Sequence, residues 1–386
     1  MEDRGIFSNF GPISADFEHN ITDRIFGGVG ESLTLCNATT GLMIAIRQVV
    51  ERRPKSRRKY ALMPSFTFAA AAQAAKWNRL IPLFCDISPT DWAADRTSEL
   101  ELLEKHHDQI AVVVPYATFG YAIDLDWYEH IQRTFDIPVV IDAAASLGTI
   151  ADDGRGFGTG FSGAVVYSMH VTKSFSTAEG GLIYSANTAL MRTLRSMSNF
   201  GFGESRNATR MGLNGKISEV SALLANLRLE NFETLMDRRS QLVDLYRQSL
   251  PQLTFQPRRL ARQSHQFTST LLPAQLAPCR KFIQAEIAKR GVDSANYFSP
   301  HVAEQDYFRP HADLAALPVT NNVASRALTL PLYDAMTNDE VSEVVTAVRS
   351  ALDAARAHLR FEAQLSEQSA LRSNAPAPTR YRPGTA

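Results

Sequence analysis

The chain has 386 residues, 45% of them apolar and 21% charged. That is the composition of a globular protein with roughly two domains of 100–200 residues each, and it excludes a largely disordered chain or a coiled coil. Lys plus Arg and Asp plus Glu are both 40, so no global positive field argues for nucleic acid or an anionic membrane as partner. Three well-separated cysteines, Cys36, Cys85 and Cys279, without Cys-x-x-Cys spacing, argue against a disulfide scaffold and a cysteine-based zinc site, and no metal is expected. The first residues, with Glu2, Asp3 and Arg4, carry no secretory pattern. No apolar run approaches the roughly 20 residues of a membrane span, so the cytoplasm is the expected location.

Thr39 to Val50 reads as a helix, Lys59 to Met63 as a strand and Phe68 to Trp77 as an Ala-rich helix. Strands follow at Ile81 to Ile87, Ile110 to Pro115 and Ile137 to Ile141, alternating with helices at Leu100 to His107 and Leu125 to Thr134. Ala164 to Met169 and Gly181 to Tyr184 are two further strands. Short apolar runs separated by helices predict an α/β domain whose mainly parallel sheet is flanked by helices. Ligands of such sheets collect at the carboxyl ends of the strands.

A long helix is predicted from Ile217 to about Met236, with Ile217, Val220, Leu224, Leu227 and Leu235 near helical spacing and Leu223 widening the face. It reads as a core helix or a domain-bridging one. Arg238 to Leu250, Lys281 to Lys289 and Asn338 to Leu352 read as helices, and Phe267 to Leu272 as a strand. The expected division is a large domain over 1–236, a smaller α+β domain over 237–360 and a disordered tail over 361–386, where Ser, Asn, Pro, Thr and Arg accumulate.

Gly158-Thr159-Gly160-Phe161-Ser162-Gly163 has the letters of a dinucleotide fingerprint, but a strand rather than a helix follows it, so it reads as a turn. The basic run Arg52, Arg53, Lys55, Arg57, Arg58, Lys59 reads as a solvated turn before a strand. Asp142 ends the apolar strand Ile137 to Ile141. A carboxylate buried there needs a positive or hydrogen-bonding partner; it is either a turn or cap aspartate or the holder of a protonated ring nitrogen. Lys173 lies between two strands, in Ser168-Met169-His170-Val171-Thr172-Lys173. A desolvated lysine at such an edge is a nucleophile for carbonyls, whereas a surface lysine on a hairpin has no role. Asn37-Ala38-Thr39-Thr40-Gly41 opens a helix, as a plain cap or as an anion site. Phosphate anchor, strand-end aspartate and strand-end lysine together are what pyridoxal 5'-phosphate (PLP) requires.

With Asn9-Phe10-Gly11-Pro12, Asn37 to Leu42, Pro64-Ser65-Phe66-Thr67-Phe68, Asp142-Ala143-Ala144, Ser168 to Lys173, Glu179-Gly180-Gly181, Gly212 to Glu219 and Leu330-Pro331-Leu332-Tyr333 in this order, the chain resembles the DegT/DnrJ/StrS-type sugar aminotransferases of fold type I. The resemblance runs from about Asn9 to Leu352. It implies that Lys173 forms the Schiff base with PLP and shuttles the proton, and that Asp142 pairs with the pyridinium nitrogen. It implies further that Phe68 stacks on the ring, and that Thr39, Thr40 and Ser168 hold the phosphate. Asn214 would reach the phosphate of the neighbouring subunit, making the active unit a homodimer with shared sites.

Asn199-Phe200-Gly201-Phe202 and Lys173-Ser174-Phe175 resemble enzymes that aminate C4 of nucleotide-linked 4-keto-6-deoxyhexoses, with glutamate as donor. A cyclitol or other keto-sugar aminotransferase is the alternative. A sugar dehydratase of the same family, which carries histidine in place of the lysine, and a non-catalytic PLP-binding regulator are both disfavoured by Lys173. Two positions depart from the pattern. Ala145 stands where the family has Gln or His against the cofactor's 3'-oxygen, and Ala117 where it has a histidine before Phe119-Gly120.

Overall fold

The computed structural model describes residues 10–52, 58–311 and 317–373, with the side chains of 311 and 367–373 excepted. Asn9, the middle of the basic run (53–57) and the last residues (374–386) lie outside the described residues.

The first helix, α1 (Pro12–Phe26), opens with a proline in its first turn and closes at Gly27, whose φ of 62° lets its N–H reach Thr22 O. There follow β1 (Glu31–Leu35), α2 (Ala38–Arg52), β2 (Tyr60–Pro64), α3 (Ala69–Trp77), β3 (Ile81–Cys85), α4 (Arg96–His106), β4 (Ile110–Val113), α5 (Leu125–Phe135) and β5 (Val140–Asp142). Then come β6 (Ala164–Ser168), β7 (Gly181–Ser185), α6 (Thr188–Met197), α7 (Glu219–Glu230) and α8 (Phe232–Ser249). The remaining elements are β8 (Thr254–Phe255), β9 (Thr268–Leu271), α9 (Arg280–Ala288), α10 (Pro318–Arg326), β10 (Ala327–Leu330) and α11 (Asn338–Ser373).

Strands β3, β2 and β4 are parallel, and β5 is parallel to β6. Parallel bridges from Val113 to Val139 and from Tyr116 to Asp142 join the two groups. The order across the sheet is therefore β3-β2-β4-β5-β6-β7-β1, with β7 antiparallel to both neighbours. Strands β4 to β7 are buried along their whole length, as a sheet covered on both faces requires. This is the α/β architecture with a mainly parallel sheet that the sequence predicts. A second sheet, β10-β9-β8, is antiparallel. It packs with α8, α9 and α11 around Leu242, Tyr246, Ile283, Leu330 and Val348.

Two expectations change. The helix predicted over 217–236 is two helices, broken at Asn231, where φ is −109° and ψ 10°. Val220, Leu223, Leu224 and Leu227 face outward from α7, while Ala222, Ala225 and Leu229 are buried. The last helix does not stop at Leu352 but runs to Ser373, so 361–373 are helical where a disordered tail was expected. Residues 353–372 are rich in Ala, Leu, Arg, Glu and Gln, and the first proline past Leu352 is Pro376; nothing in that stretch breaks a helix. Position 236/237 falls inside α8, whose Phe232 and Met236 sit in the large core and whose Leu242 and Tyr246 sit in the smaller one.

The glycine-rich segment before β6 is a turn, as expected, with Gly158 and Gly160 at positive φ and no helix after it. Among the described residues no helix is long and apolar enough to cross a membrane.

Candidate active site

Three strands deliver the site to one edge of the sheet. β5 ends in Asp142, and the register pairs Asp142 with Val166 of β6. β6 ends in Ser168, which pairs with Gly181, the first residue of β7; Gly181 also pairs with Leu35, the last residue of β1. A Cβ on Gly181 would lie 2.5 Å from the carbonyl carbon of Asn37 and 2.6 Å from Ala38 N. Only glycine lets the start of α2 close onto this edge. Asn37 to Thr40 are thus brought beside Ser168.

The connection from β6 to β7 is laced by backbone bonds from Met169 N to Gly180 O, Val171 N to Ala178 O and Thr177 N to Met169 O, each 2.9 Å. It carries Lys173, whose Nζ donates to Gln266 Oε1 at 2.9 Å. Burial lowers the Lys173 pKa from 10.5 to about 8, against the opposing pull of the Asp142 charge. Burial raises Asp142 from 3.8 to about 6, although a bond from Ala144 N to Oδ1 (3.1 Å) and the Lys173 charge both favour the carboxylate. The two groups bias one another through space. They are a base and an acid whose affinities have been drawn toward neutrality, as sites of proton transfer require.

At α2, Asn37 Oδ1 accepts from Thr40 N at 2.8 Å. The plain-cap reading of Asn37 is thus what the structure shows at that amide. Thr39 and Thr40 are half-buried. Ser168 is buried, and its hydroxyl accepts from His170 N at 3.3 Å. Phe68 follows β2 on the same edge, precedes α3 and is 61% exposed. Asn214 is exposed and accepts from Lys216 Nζ at 2.7 Å. Its loop lies against the β1–α2 junction of its own chain: Gly215 O accepts from Cys36 N at 2.7 Å.

Sequence reasoning missed Gln266, which is 93 residues from the lysine it binds. It also missed the clasp behind it. Arg239 donates to His265 O at 2.9 Å, Gln266 O at 3.1 Å and Asp334 Oδ1 at 2.6 Å. Arg228 donates to Asp334 and, at 2.7 Å, to Ser174 O, next to Lys173. The only local signal for these residues is that polar side chains flank a predicted strand.

The donor set fits PLP: a desolvated amine, a buried carboxylate near it, and a hydroxyl and helix start on the same edge. The comparisons agree. The model of the DegT/DnrJ/EryC1/StrS aminotransferase family matches residues 1–349. Protein Rv3402c of Mycobacterium tuberculosis is 30% identical over 351 residues, covering 89% of this chain and 84% of that protein. The Escherichia coli dTDP-4-amino-4,6-dideoxy-D-glucose transaminase is 26% identical, covering 88% and 90%. A Bacillus cereus structure described as a PLP-dependent aminotransferase is 36% identical, with a TM-score of 0.84 over 90% of this chain and 93% of that one. By this match along nearly its whole length, the chain belongs to the DegT/DnrJ/EryC1/StrS aminotransferase family and is a PLP-dependent aminotransferase of fold type I.

Proposed function

We propose that the protein transfers the amino group of glutamate to a nucleotide-linked keto sugar, a 4-keto-6-deoxyhexose, in a homodimer with shared active sites. The observation that carries the reading is the placement of Asp142 at the end of β5 and of Lys173 in the connection that leaves the neighbouring β6, with mutually biased protonation. The sugar class rests on relatives such as the E. coli transaminase, whose name specifies a dTDP-linked 4-amino sugar, and on a solved structure, DesI with its TDP-sugar product, 28% identical with a TM-score of 0.81.

Bound PLP supplies an electron sink for the carbon that loses its proton. The chain supplies the rest. Lys173, with a pKa near 8, has a substantial neutral fraction at physiological pH, so Nζ can both attack a carbonyl and carry a proton between carbons. Asp142, buried at the end of β5, would hold the proton on the ring nitrogen. Ser168, Thr39 and Thr40 would hold the phosphate, and Phe68 would cover the ring face. Asn214 would serve the partner's phosphate. The exposed stripe Val220, Leu223, Leu224 and Leu227 on α7 supports a second copy as its cover. The free cysteines Cys36, Cys85 and Cys279 suit a reducing cytoplasm.

The test is incubation of the PLP-loaded protein with glutamate and a panel of nucleotide-linked 4-keto-6-deoxy sugars and cyclitol ketones. Formation of 2-oxoglutarate together with a C4 amino sugar is expected. Turnover of a cyclitol ketone alone would replace the sugar reading.

A further inference from the structure

Ala145 is buried and brings no polar side chain to the wall beyond Asp142. That wall is covered by the segment leading into β9. Ile150 and Arg262 exchange backbone bonds, and Ser264 N donates to Thr149 Oγ1 at 3.0 Å. The Ser264 and Ser174 hydroxyls are 2.6 Å apart. A Cβ on Gly120 would lie 1.9 Å from Ser264 O and 3.1 Å from Ala145 O, so the covering segment and the Ala145 backbone meet across a glycine. Two residues on from Ser264 stands Gln266, buried, with its backbone carbonyl held by Arg239. Its Oε1 accepts from Lys173 Nζ at 2.9 Å, and its Nε2 donates to the exposed Thr172 hydroxyl at 3.3 Å.

We propose that Gln266 supplies, from the other side of the wall, the carboxamide that position 145 lacks: its oxygen orients Lys173 Nζ and its NH2 donates to the 3'-oxygen of bound PLP. A carboxamide carries both an acceptor and two donors, so one side chain serves both groups. An anionic ring oxygen left without a donor is costly. The present acceptor of Nε2 is a surface hydroxyl, which water can satisfy in its place. The inference rests on Lys173 being the residue that binds PLP.

The experiment is a pH titration of the visible absorbance of bound PLP in the wild type and in the Lys173→Ala, Gln266→Ala, Gln266→Glu and Gln266→Ala/Ala145→Gln variants. Lys173→Ala should lose the wild-type band. If that band persists, it is the lysine assignment that fails. Gln266→Ala should keep the band but raise its pH midpoint by about one unit, because a donor to the ring oxygen favours the deprotonated form. The double variant should return the midpoint toward the wild-type value. The near-isosteric Gln266→Glu, which sets a carboxylate beside that oxygen, should raise it further. An unmoved midpoint in Gln266→Ala or Gln266→Glu, or a double variant no closer to wild type than Gln266→Ala, would overturn the proposal.

Discussion

Arg239 and Asp334 form an ion pair, 2.6 Å between Nη1 and Oδ1, in which the cation is buried and the anion reaches the surface. Arg228 shares the same carboxylate. The pair joins α8 to the turn after β10, and the same guanidinium holds the carbonyls of His265 and Gln266. Burial already pulls the Arg239 pKa down, and Asp334 is the main group opposing that. Asp334→Ala leaves two cations facing each other without their counter-ion. We expect a loss of about 3 kcal/mol, the cost of breaking a largely buried pair from one side, measured by urea unfolding. A loss below about 1 kcal/mol, the range of surface pairs, would show that the clasp is not structural.

Lys173→Ala should remove the absorbance of lysine-bound PLP and reduce transamination to background. The far-ultraviolet circular dichroism should stay that of the wild type, because the β6–β7 connection is held by backbone bonds that do not involve the side chain. An unchanged visible spectrum in the variant would place the nucleophile elsewhere.

Glu99 of α4 is buried and accepts from Trp127 Nε1 at 3.0 Å and from the Tyr128 hydroxyl at 3.3 Å. Burial raises its pKa from 4.5 to about 7, only partly offset by those two bonds. The folded state therefore binds this proton more tightly than the unfolded state. The stabilisation is complete below pH 4.5 and is lost as the pH rises to about 7, amounting to about 3 kcal/mol over that window. Glu99→Gln keeps an acceptor and cannot ionise, so its unfolding free energy should change less with pH between 4.5 and 7. Parallel pH profiles for the two proteins would refute this assignment.

If Asn214 serves the partner's PLP, a Lys173→Ala chain and an Asn214→Ala chain carry complementary defects. Co-refolding them in equal amounts should give about one quarter of the wild-type rate, since half of the dimers are mixed and each holds one intact site. A rate no higher than that of either parent would argue that each chain completes its own site. The wrapping of the Asn214 loop against Cys36 and Thr40 of its own chain makes that outcome a real competitor.

The strand ends at Asp142 and Ser168, and the connection that carries Lys173, were legible because short apolar runs mark the strands, and ligands of a parallel sheet collect at such junctions. Gln266, Arg239 and Asp334 were not, because Gln266 meets Lys173 across 93 residues of chain and Arg239 meets Asp334 across 95, which no local pattern encodes. The outward face of α7 was hidden for a different reason. Its leucines recur at helical spacing, but so do Ala222, Ala225 and Leu229, and the small residues are the ones that let α1 pack closely. The break at Asn231 and the extension of α11 past Leu352 show the same limit at element ends, where periodicity continues across a kink or fades before the helix does.

The reversal of β7 also determines how Lys173 can move. In a parallel connection the chain leaving Lys173 would cross to the far edge of the sheet through a helix before returning. Here it turns back at once, and Ser168 paired with Gly181 closes the base of the loop. The peptide carrying Lys173 is moored at both ends to fully buried strands, so it is a fixed post rather than a swinging arm. Travel of Nζ must come from rotation about the bonds of its own four-carbon side chain. If Lys173 is the residue that binds PLP, each release would return Nζ to the same small volume.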